Sequence, residues 1–231
     1  MRVNQNTAIS AARALLVPYE AHHVVQYHGW MQDLDIQEAT ASEPMILEEE
    51  YENQQSWRTS ANKLTFIVCE PIAATETTIT AQKQDANPYM IGDVNFFLYP
   101  DDGDENETAT GDALVGEVDV MIAARDRRGQ GYGEAAVRAL LVYIQANLDA
   151  ILAEYAQGGP KSSLRELMVK IRQGNKASRA LFEKLGFVQM GHVNYFGEVK
   201  MVLDWRDGVG SRDDAWKAAT KEYRELKYEV T

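Results

Sequence analysis

The stretch Leu114-Val115-Gly116-Glu117-Val118-Asp119-Val120-Met121-Ile122 runs into Arg125-Asp126-Arg127-Arg128-Gly129-Gln130-Gly131-Tyr132-Gly133, and this junction decides how the chain folds. The first part alternates as a strand does. After the glycines, Ala136, Leu140, Ile144 and Leu148, with Val137 and Leu141 beside them, form one apolar stripe at helical spacing. The order is strand, glycine-rich loop, helix. Glycines at 129, 131 and 133 let the backbone turn tightly and approach a ligand with no Cβ in the way. A helix start presents N–H groups without internal partners at the positive end of the helix dipole. Together these make a cradle for phosphate or pyrophosphate, and Arg125, Arg127 and Arg128 add positive charge beside it.

Outward from this junction the pattern is mixed α/β. Leu15-Leu16-Val17 reads as a first strand stopped by Pro18, and Glu20 to Met31 as a helix with Val24, Tyr27 and Met31 on one face. Ala41-Ser42-Glu43-Pro44 reads as the start of a helix carrying Leu47, Tyr51 and Trp57. Leu64 to Cys69 and Ile91 to Leu98 are expected as the second and third strands, Leu114 to Ile122 as the fourth and Leu167 to Ile171 as the fifth. Asn175 caps a short helix carrying Ala177, Leu181 and Leu185, which Gly186 ends. Two late strands are expected near Val188 and over Glu198 to Leu203. Pro71 to Pro88 has no sustained period and reads as an exposed insertion, dispensable for coenzyme binding; Asp101 to Glu107 reads as a solvated acidic loop. Asp213 to Tyr228 reads as a helical tail with Trp216, Ala219, Tyr223 and Leu226 on one side. The expected organisation is one domain over residues 1–204, with an insertion at about 71–89 and an acidic loop at about 100–112, then a tail over 205–231.

Composition narrows the function classes. With 231 residues, 45% hydrophobic and 25% charged, the chain is globular and long enough for one large core. Its 23 Lys+Arg against 35 Asp+Glu give a net charge of −12, which argues against a sequence-independent grip on nucleic acid. No apolar run reaches membrane-spanning length, and Met1 to Asn6 has no apolar signal core, so no membrane contact and a cytoplasmic or nuclear location are expected. The single cysteine, Cys69, excludes an intrachain disulfide and a thiolate-rich zinc site. His22, His23, His28 and His192 show no metal-ligand spacing, and no metal is expected.

Three readings of the glycine loop compete. A Walker-type loop needs Gly-Lys followed by Ser or Thr, and here Gly133 is followed by Glu134. Gly131-Tyr132-Gly133-Glu134-Ala135-Ala136 can be fitted to a dinucleotide fingerprint, but helix continues where the second strand and its acid should stand. The third reading is a resemblance. Arg128-x-x-Gly131-x-Gly133 resembles the coenzyme-A pyrophosphate motif of the Gcn5-related N-acetyltransferases (GNAT). Gly174-Asn175-Lys176-Ala177-Ser178 through Lys184-Leu185-Gly186-Phe187 resembles that family's second motif, in the right order and at a fitting distance. Asn4-Gln5-Asn6-Thr7, Tyr27-His28-Gly29-Trp30-Met31, Thr40 to Pro44, Glu48 to Tyr51, Ser56-Trp57 and Gly92-Asp93-Val94-Asn95 look like the N-acetyltransferase 9-like subfamily.

The resemblance implies a GNAT-like domain: a mixed, mostly antiparallel sheet flanked by helices, with splayed fourth and fifth strands. It implies acetyl-CoA as acetyl donor and direct transfer to an amine, that of a protein N-terminus, a lysine or a small molecule. Backbone groups of Met121, Ile122 and Ala123 would pair with the pantetheine arm. Arg128 and the N–H groups of Gly129, Gln130, Gly131, Tyr132 and Gly133 would hold the pyrophosphate, and Asn175 would stand near the arm. The subfamily's association with tubulin and microtubules makes tubulin an implied partner. A coenzyme-A-binding protein acting mainly through partners, for example on microtubules, is the competing class.

A base helps direct transfer, because a lysine near pKa 10.4 is far less than ~1% neutral at pH 7 and an α-amine roughly a tenth neutral. Alternation puts Glu117, Asp119 and Met121 on one strand face, with Glu117 the first candidate base and Asp119 the second. The structural alternative is that Lys170 and Arg172 neutralise both acids. The position where relatives often carry an acidic tyrosine is Phe182, the fifth-strand acid of others is Lys170, and Tyr195 is a further candidate acid.

Overall fold

The computed structural model describes residues 1–101, 113–205 and 214–230. In chain order the elements are β1 (Thr7–Ala11), β2 (Ala14–Pro18), a 3-10 turn Ala21–His23, α1 (Val24–Met31), α2 (Leu34–Thr40), α3 (Leu47–Thr59), β3 (Lys63–Cys69), β4 (Thr78–Thr80), β5 (Met90–Pro100) and β6 (Ala113–Ile122). There follow α4 (Tyr132–Ala146), α5 (Leu148–Ala156), β7 (Ser163–Arg172), α6 (Lys176–Lys184), β8 (Val188–Met190), β9 (Glu198–Asp204), α7 (Asp214–Glu222) and β10 (Arg224–Glu229). The strands form one sheet in the order β4-β10-β1-β2-β3-β5-β6-β7-β9-β8. Only β4 with β10 and β6 with β7 pair in parallel among the described residues, so the sheet is mixed and mostly antiparallel.

Both faces of the sheet are covered, and the central strands show it residue by residue. Leu16, Phe66 and Val68 enter a core built with α4, α5 and α6, whereas Leu15, Val17, Ile67 and Cys69 enter a second core beneath α1 and α2. A strand buried on both sides reads as an unbroken apolar run, which is why Phe66 to Cys69 shows no polar alternation. Cys69 is wholly buried, and that burial pushes its thiol well above the usual range. α4 buries the expected stripe of Ala136, Val137, Leu140, Leu141 and Ile144. The stripe breaks at Ala146, and Leu148 opens α5 instead.

Several elements differ from the sequence reading. β1 precedes the strand expected first and β4 lies between the expected second and third, so the expected fourth and fifth strands are β6 and β7. The helix expected over Glu20 to Met31 starts as a 3-10 turn. Ala41 to Pro44 does not start a helix: Ala41 takes a left-handed conformation (φ 52°) and ends α2, which Asp33 caps by accepting the Asp35 N–H at 3.0 Å. α3 begins later, where the Glu49 carboxylate accepts the Ile46 N–H at 3.0 Å. The acidic loop falls outside the described residues from residue 102 onward. The tail is not one helix: α7 gives way to β10, which lies between β1 and β4 in the sheet.

The segment read as an exposed insertion is tied into the fold. Ile79 and Asp85 are fully buried. The Asp85 Oδ2 receives Tyr228 Oη–H at 2.6 Å and His23 Nε2 at 3.0 Å, and His22 Nε2 stands 3.0 Å from the same oxygen. His23 Nδ1 accepts the Glu20 N–H at 3.0 Å, so its Nε2 carries the proton given to Asp85. The sequence could not show this convergence of His22, His23 and Asp85, because the acid arrives from 62 residues away. The hub joins the 3-10 turn, the insertion and β10.

Asp85→Ala is expected to lower unfolding free energy by roughly 3 kcal/mol, since the buried His23 and Tyr228 and the half-buried His22 lose their acceptor. Burial lowers the His23 pKa, while the hydrogen bonds of His22, His23 and Tyr228 overcome burial to hold Asp85 well below the usual carboxylate range. Both groups therefore bind fewer protons folded than unfolded. Stability should fall as pH drops below about 6.5 through His23, and again below about 3.9 through Asp85. Urea unfolding across this range checks both steps; the second should vanish in Asp85→Ala.

Candidate active site

β6 and β7 pair in parallel from Ala113 with Ser163 to Glu117 with Met168. Beyond Glu117 they carry no register pairs, although β6 continues to Ile122 and β7 to Arg172. The splay opens a cleft of about 1610 Å³ between them. That exceeds a typical small-ligand pocket of roughly 300–1,000 Å³ and leaves room for two substrates. Met121, Ile122, Arg128, Gly129, Gly131, Gly133 and Asn175 line it together with Glu117 and Asp119.

At one end of the cleft stands the glycine loop. Gly129 and Gly131 have φ of +71° and +86°, in the left-handed region, and Gly131 is the N-cap of α4. A Cβ on Gly129 would meet nothing within 4 Å, so the strand-to-helix turn faces open space. The N–H groups of Gly129, Gln130 and Gly131 meet no acceptor among the described residues. An unfilled row of donors at a helix start, walled by glycine, fits a pyrophosphate.

The loop's charge is redistributed relative to the sequence reading. Arg125 is held by Asp33 at 2.8 Å and Asp35 at 2.9 Å, and Arg127 by Glu70 at 2.6 Å and Asp126 at 3.1 Å. Arg128 donates to the Ile122 and Ala123 carbonyls at 2.8 and 3.2 Å, and it lines the cleft. Arg13, which the sequence reading passed over, donates to the Gln130 carbonyl at 2.9 Å. Two expected loop residues are partly committed elsewhere. The Tyr132 hydroxyl donates to Glu70 at 3.2 Å, and the Gln130 side chain donates to the Asp126 carbonyl. The Ala123 N–H donates to the Ile91 carbonyl at 2.9 Å, so it faces β5 and not the cleft. Gly92 on β5 is needed at its position, because a Cβ there would run into the Met121 carbonyl oxygen. Asn175 caps α6, its Oδ1 accepting the Ser178 N–H at 3.1 Å, while lining the cleft.

Deeper in the cleft the two candidate acids differ. Glu117 is buried, and its Oε2 accepts Lys170 Nζ at 2.9 Å. Asp119 is half-buried, with no hydrogen bond or ion pair to the described residues. Burial first, then the Glu117 and Asp93 charges, raise its pKa to about 7. Asp93 and Asn95, on the same face of β5, entered the sequence reading as part of a strand and of a subfamily-like stretch, with no role at the site. Asp93 is buried, which raises its pKa to about 6, and its Oδ2 accepts Asn95 Nδ2 at 2.8 Å and the Tyr27 hydroxyl at 3.2 Å. The signal was present in the sequence: Thr65, Asp93 and Asn95, and Glu117 and Asp119 interrupt mostly apolar strands, and the register aligns Thr65, Asn95 and Asp119 in one row. Tyr195 is 97% exposed, packed edge-on against Phe196, and does not line the cleft. Phe182 is buried and lines it.

The comparisons agree with this geometry. The family described as "Acetyltransferase (GNAT) domain" matches residues 13–188. The chain is 40% identical to the alpha/beta-tubulin-N-acetyltransferase 9 of Drosophila melanogaster, over 93% of this chain and 96% of the relative. It is 37% identical to the N-acetyltransferase 9-like protein of Schizosaccharomyces pombe, over 88% of this chain and 98% of the relative. An aminoglycoside acetyltransferase solved in complex with coenzyme A shares the fold, with a TM-score of 0.55 at 19% identity over 86% of this chain and 95% of that one. The splayed strands, the glycine cradle and these likenesses lead to one conclusion: the chain belongs to the GNAT acetyltransferase family and is an N-acetyltransferase that uses acetyl-CoA.

Proposed function

We propose that this enzyme acetylates the N-terminal α-amine of a protein, with tubulin chains among its acceptors, and that Asp119 is the base. The observation that carries this reading is an unpaired carboxyl in the splayed cleft with a pKa raised to about 7. A base is most useful when its pKa lies near working pH. An α-amine, at about 7.7–8.0, is matched to such a base, whereas a lysine near 10.4 is not. Support for tubulin comes from the name of the Drosophila relative. A tubulin acceptor would put the reaction in the cytoplasm.

The roles follow from position. The N–H groups of Gly129 to Gly133 and the Arg128 side chain hold the pyrophosphate, the open edge of β6 at Ile122 meets the pantetheine arm, whereas the Met121 backbone, like that of Ala123, faces β5, and Asn175 closes the α6 side. The coenzyme supplies a thioester whose acetyl carbon the neutral amine attacks. Asp119 takes the proton as the C–N bond forms; the C–S bond breaks, and the thiolate takes a proton from water, since an ordinary thiol pKa is about 8.5. Glu117, tied to Lys170, keeps that cation beside the cleft and raises Asp119 by its charge. The acceptor enters past Ile36, Glu38 and Thr40 to Ser42 on one rim and Glu198 on the other.

The test is incubation with acetyl-CoA and peptides copying the α- and β-tubulin N-termini, read by mass spectrometry. Acetylation should sit on the α-amine and be absent from peptides with a blocked N-terminus. Acetylation confined to lysine would contradict the proposal.

A further inference from the structure

The base reading leaves Asn95 unexplained. It is buried on β5, and its register partner on β6 is Asp119. Directly paired residues on antiparallel strands bring their Cβ atoms within about 4.5–5.5 Å on one face. Asn95 Nδ2 donates one N–H to Asp93 Oδ2 at 2.8 Å, which turns the amide nitrogen, and not its oxygen, toward Asp93. That oxygen, Asn95 Oδ1, is buried and meets no donor, and Asp93 Oδ1 is likewise buried without a partner. A buried acceptor with no donor is costly and calls for an explanation. The ionised form of Asp119 has nothing to give it. The protonated form has one O–H.

We infer that Asn95 is a positioning residue for the proton-loaded state: once Asp119 has taken the amine proton, its O–H donates to Asn95 Oδ1. Asp119 then donates to Asn95 and Asn95 to Asp93, which accepts from Tyr27 on its other side. Tyr27 Oη–H and Asn95 Nδ2–H both fix Asp93 Oδ2, and Asp93 fixes the amide orientation. No bond beyond those of acetyl transfer forms or breaks; the proton that leaves nitrogen stays on Asp119 until product departs, then returns to water. The inference rests on Asp119 as base. Asp119 is faced by Glu117 on its own strand, Asp93 on β5, Lys170 on β7 and Glu198 on β9, with Tyr27 of α1 behind Asp93. The three neighbouring acids raise its pKa and Lys170 lowers it. Asn95 is the uncharged neighbour that tells the two protonation states apart, because it can accept from one and not from the other.

The experiment is a carboxyl titration by NMR of protein labelled with 13C at aspartate carboxyls, with the Asp119 signal assigned by its loss in Asp119→Asn. In the wild type it should titrate near 7. In Asn95→Ala the acceptor is gone, so the Asp119 midpoint should fall by about one pH unit. Asp93, losing a donor, should move the opposite way. Asn95→Ser, which keeps an oxygen acceptor, should recover part of the Asp119 shift, and it carries the test if the alanine variant does not fold. An unmoved Asp119 midpoint in a folded Asn95 variant would overturn the inference, whatever the change in melting temperature. The base reading fails separately, if Asp119→Asn releases thiol from acetyl-CoA and an acceptor peptide at the wild-type rate.

Discussion

Asp119→Asn should lower kcat by about 10²-fold or more near neutral pH, with acetyl-CoA affinity little changed, because general-base catalysis is typically worth roughly 10²–10⁴-fold. The side chain keeps its shape and loses only its ability to take a proton. The same variant should be more stable than the wild type above pH 7. Burial and the Glu117 and Asp93 charges raise the folded pKa of Asp119 to about 7, above the unfolded value near 3.9. A raised carboxyl contributes stability below its unfolded pKa, and that contribution is lost as pH rises through the folded one. At pH 8 the wild type holds an unpaired carboxylate in a poorly solvated cleft, and the asparagine does not. Melting temperatures at pH 5 and pH 8 should show the variant's advantage growing with pH. Glu117→Gln should behave differently, because it strands Lys170: rate and stability fall together.

Gly131→Asp should raise the dissociation constant for acetyl-CoA by about 100-fold or more while leaving the apo protein folded. At φ +86° only glycine is free of strain, but a Cβ there would approach only the Arg13 side chain, at 3.8 Å. Asparagine and aspartate also tolerate the left-handed region better than other residues, so the fold survives. The new carboxylate occupies the mouth of the donor row that a pyrophosphate needs, and it brings negative charge to a helix start meant for an anion. Ligand at ~100 times its dissociation constant stabilises a protein by about 2.7 kcal/mol, so the wild type should show a clear thermal shift with acetyl-CoA and the variant almost none. An unchanged shift would remove the loop from the site.

The parts legible in the sequence were those whose signal is local. The glycine loop, the α4 stripe and the Asn175 cap each lie within one run of neighbouring residues, and the structure places the loop and the cap at the cleft and the stripe in the core. What escaped depended on distant partners. Thr7 to Ala11 is short and rich in small residues, and it is a strand because β10 binds one edge through pairs such as Thr7 with Lys227. β4 has three residues and exists through its parallel pairing to β10. β10 itself, Arg224 to Glu229, carries charge at alternate positions and shows only Leu226 and Tyr228 to the core, too little for a local reading to prefer strand over helix. The choice between Glu117 and Asp119 was open for the same reason. Both share the strand face, but Lys170 reaches Glu117 and not Asp119, and only the register of β6 on β7 and the splay beyond it set that difference.

The most direct measurement is the pH dependence of kcat on a peptide with a free α-amine, for the wild type beside Asp119→Asn. The wild type should show an acid limb with a midpoint near 7, the pKa to which Asp119 is raised, and the residual rate of Asp119→Asn should lack it, keeping only the limb of the acceptor's own amine at about 7.7–8.0. A limb at the same pH in both proteins, at similar rates, would contradict Asp119 as the group that takes the proton.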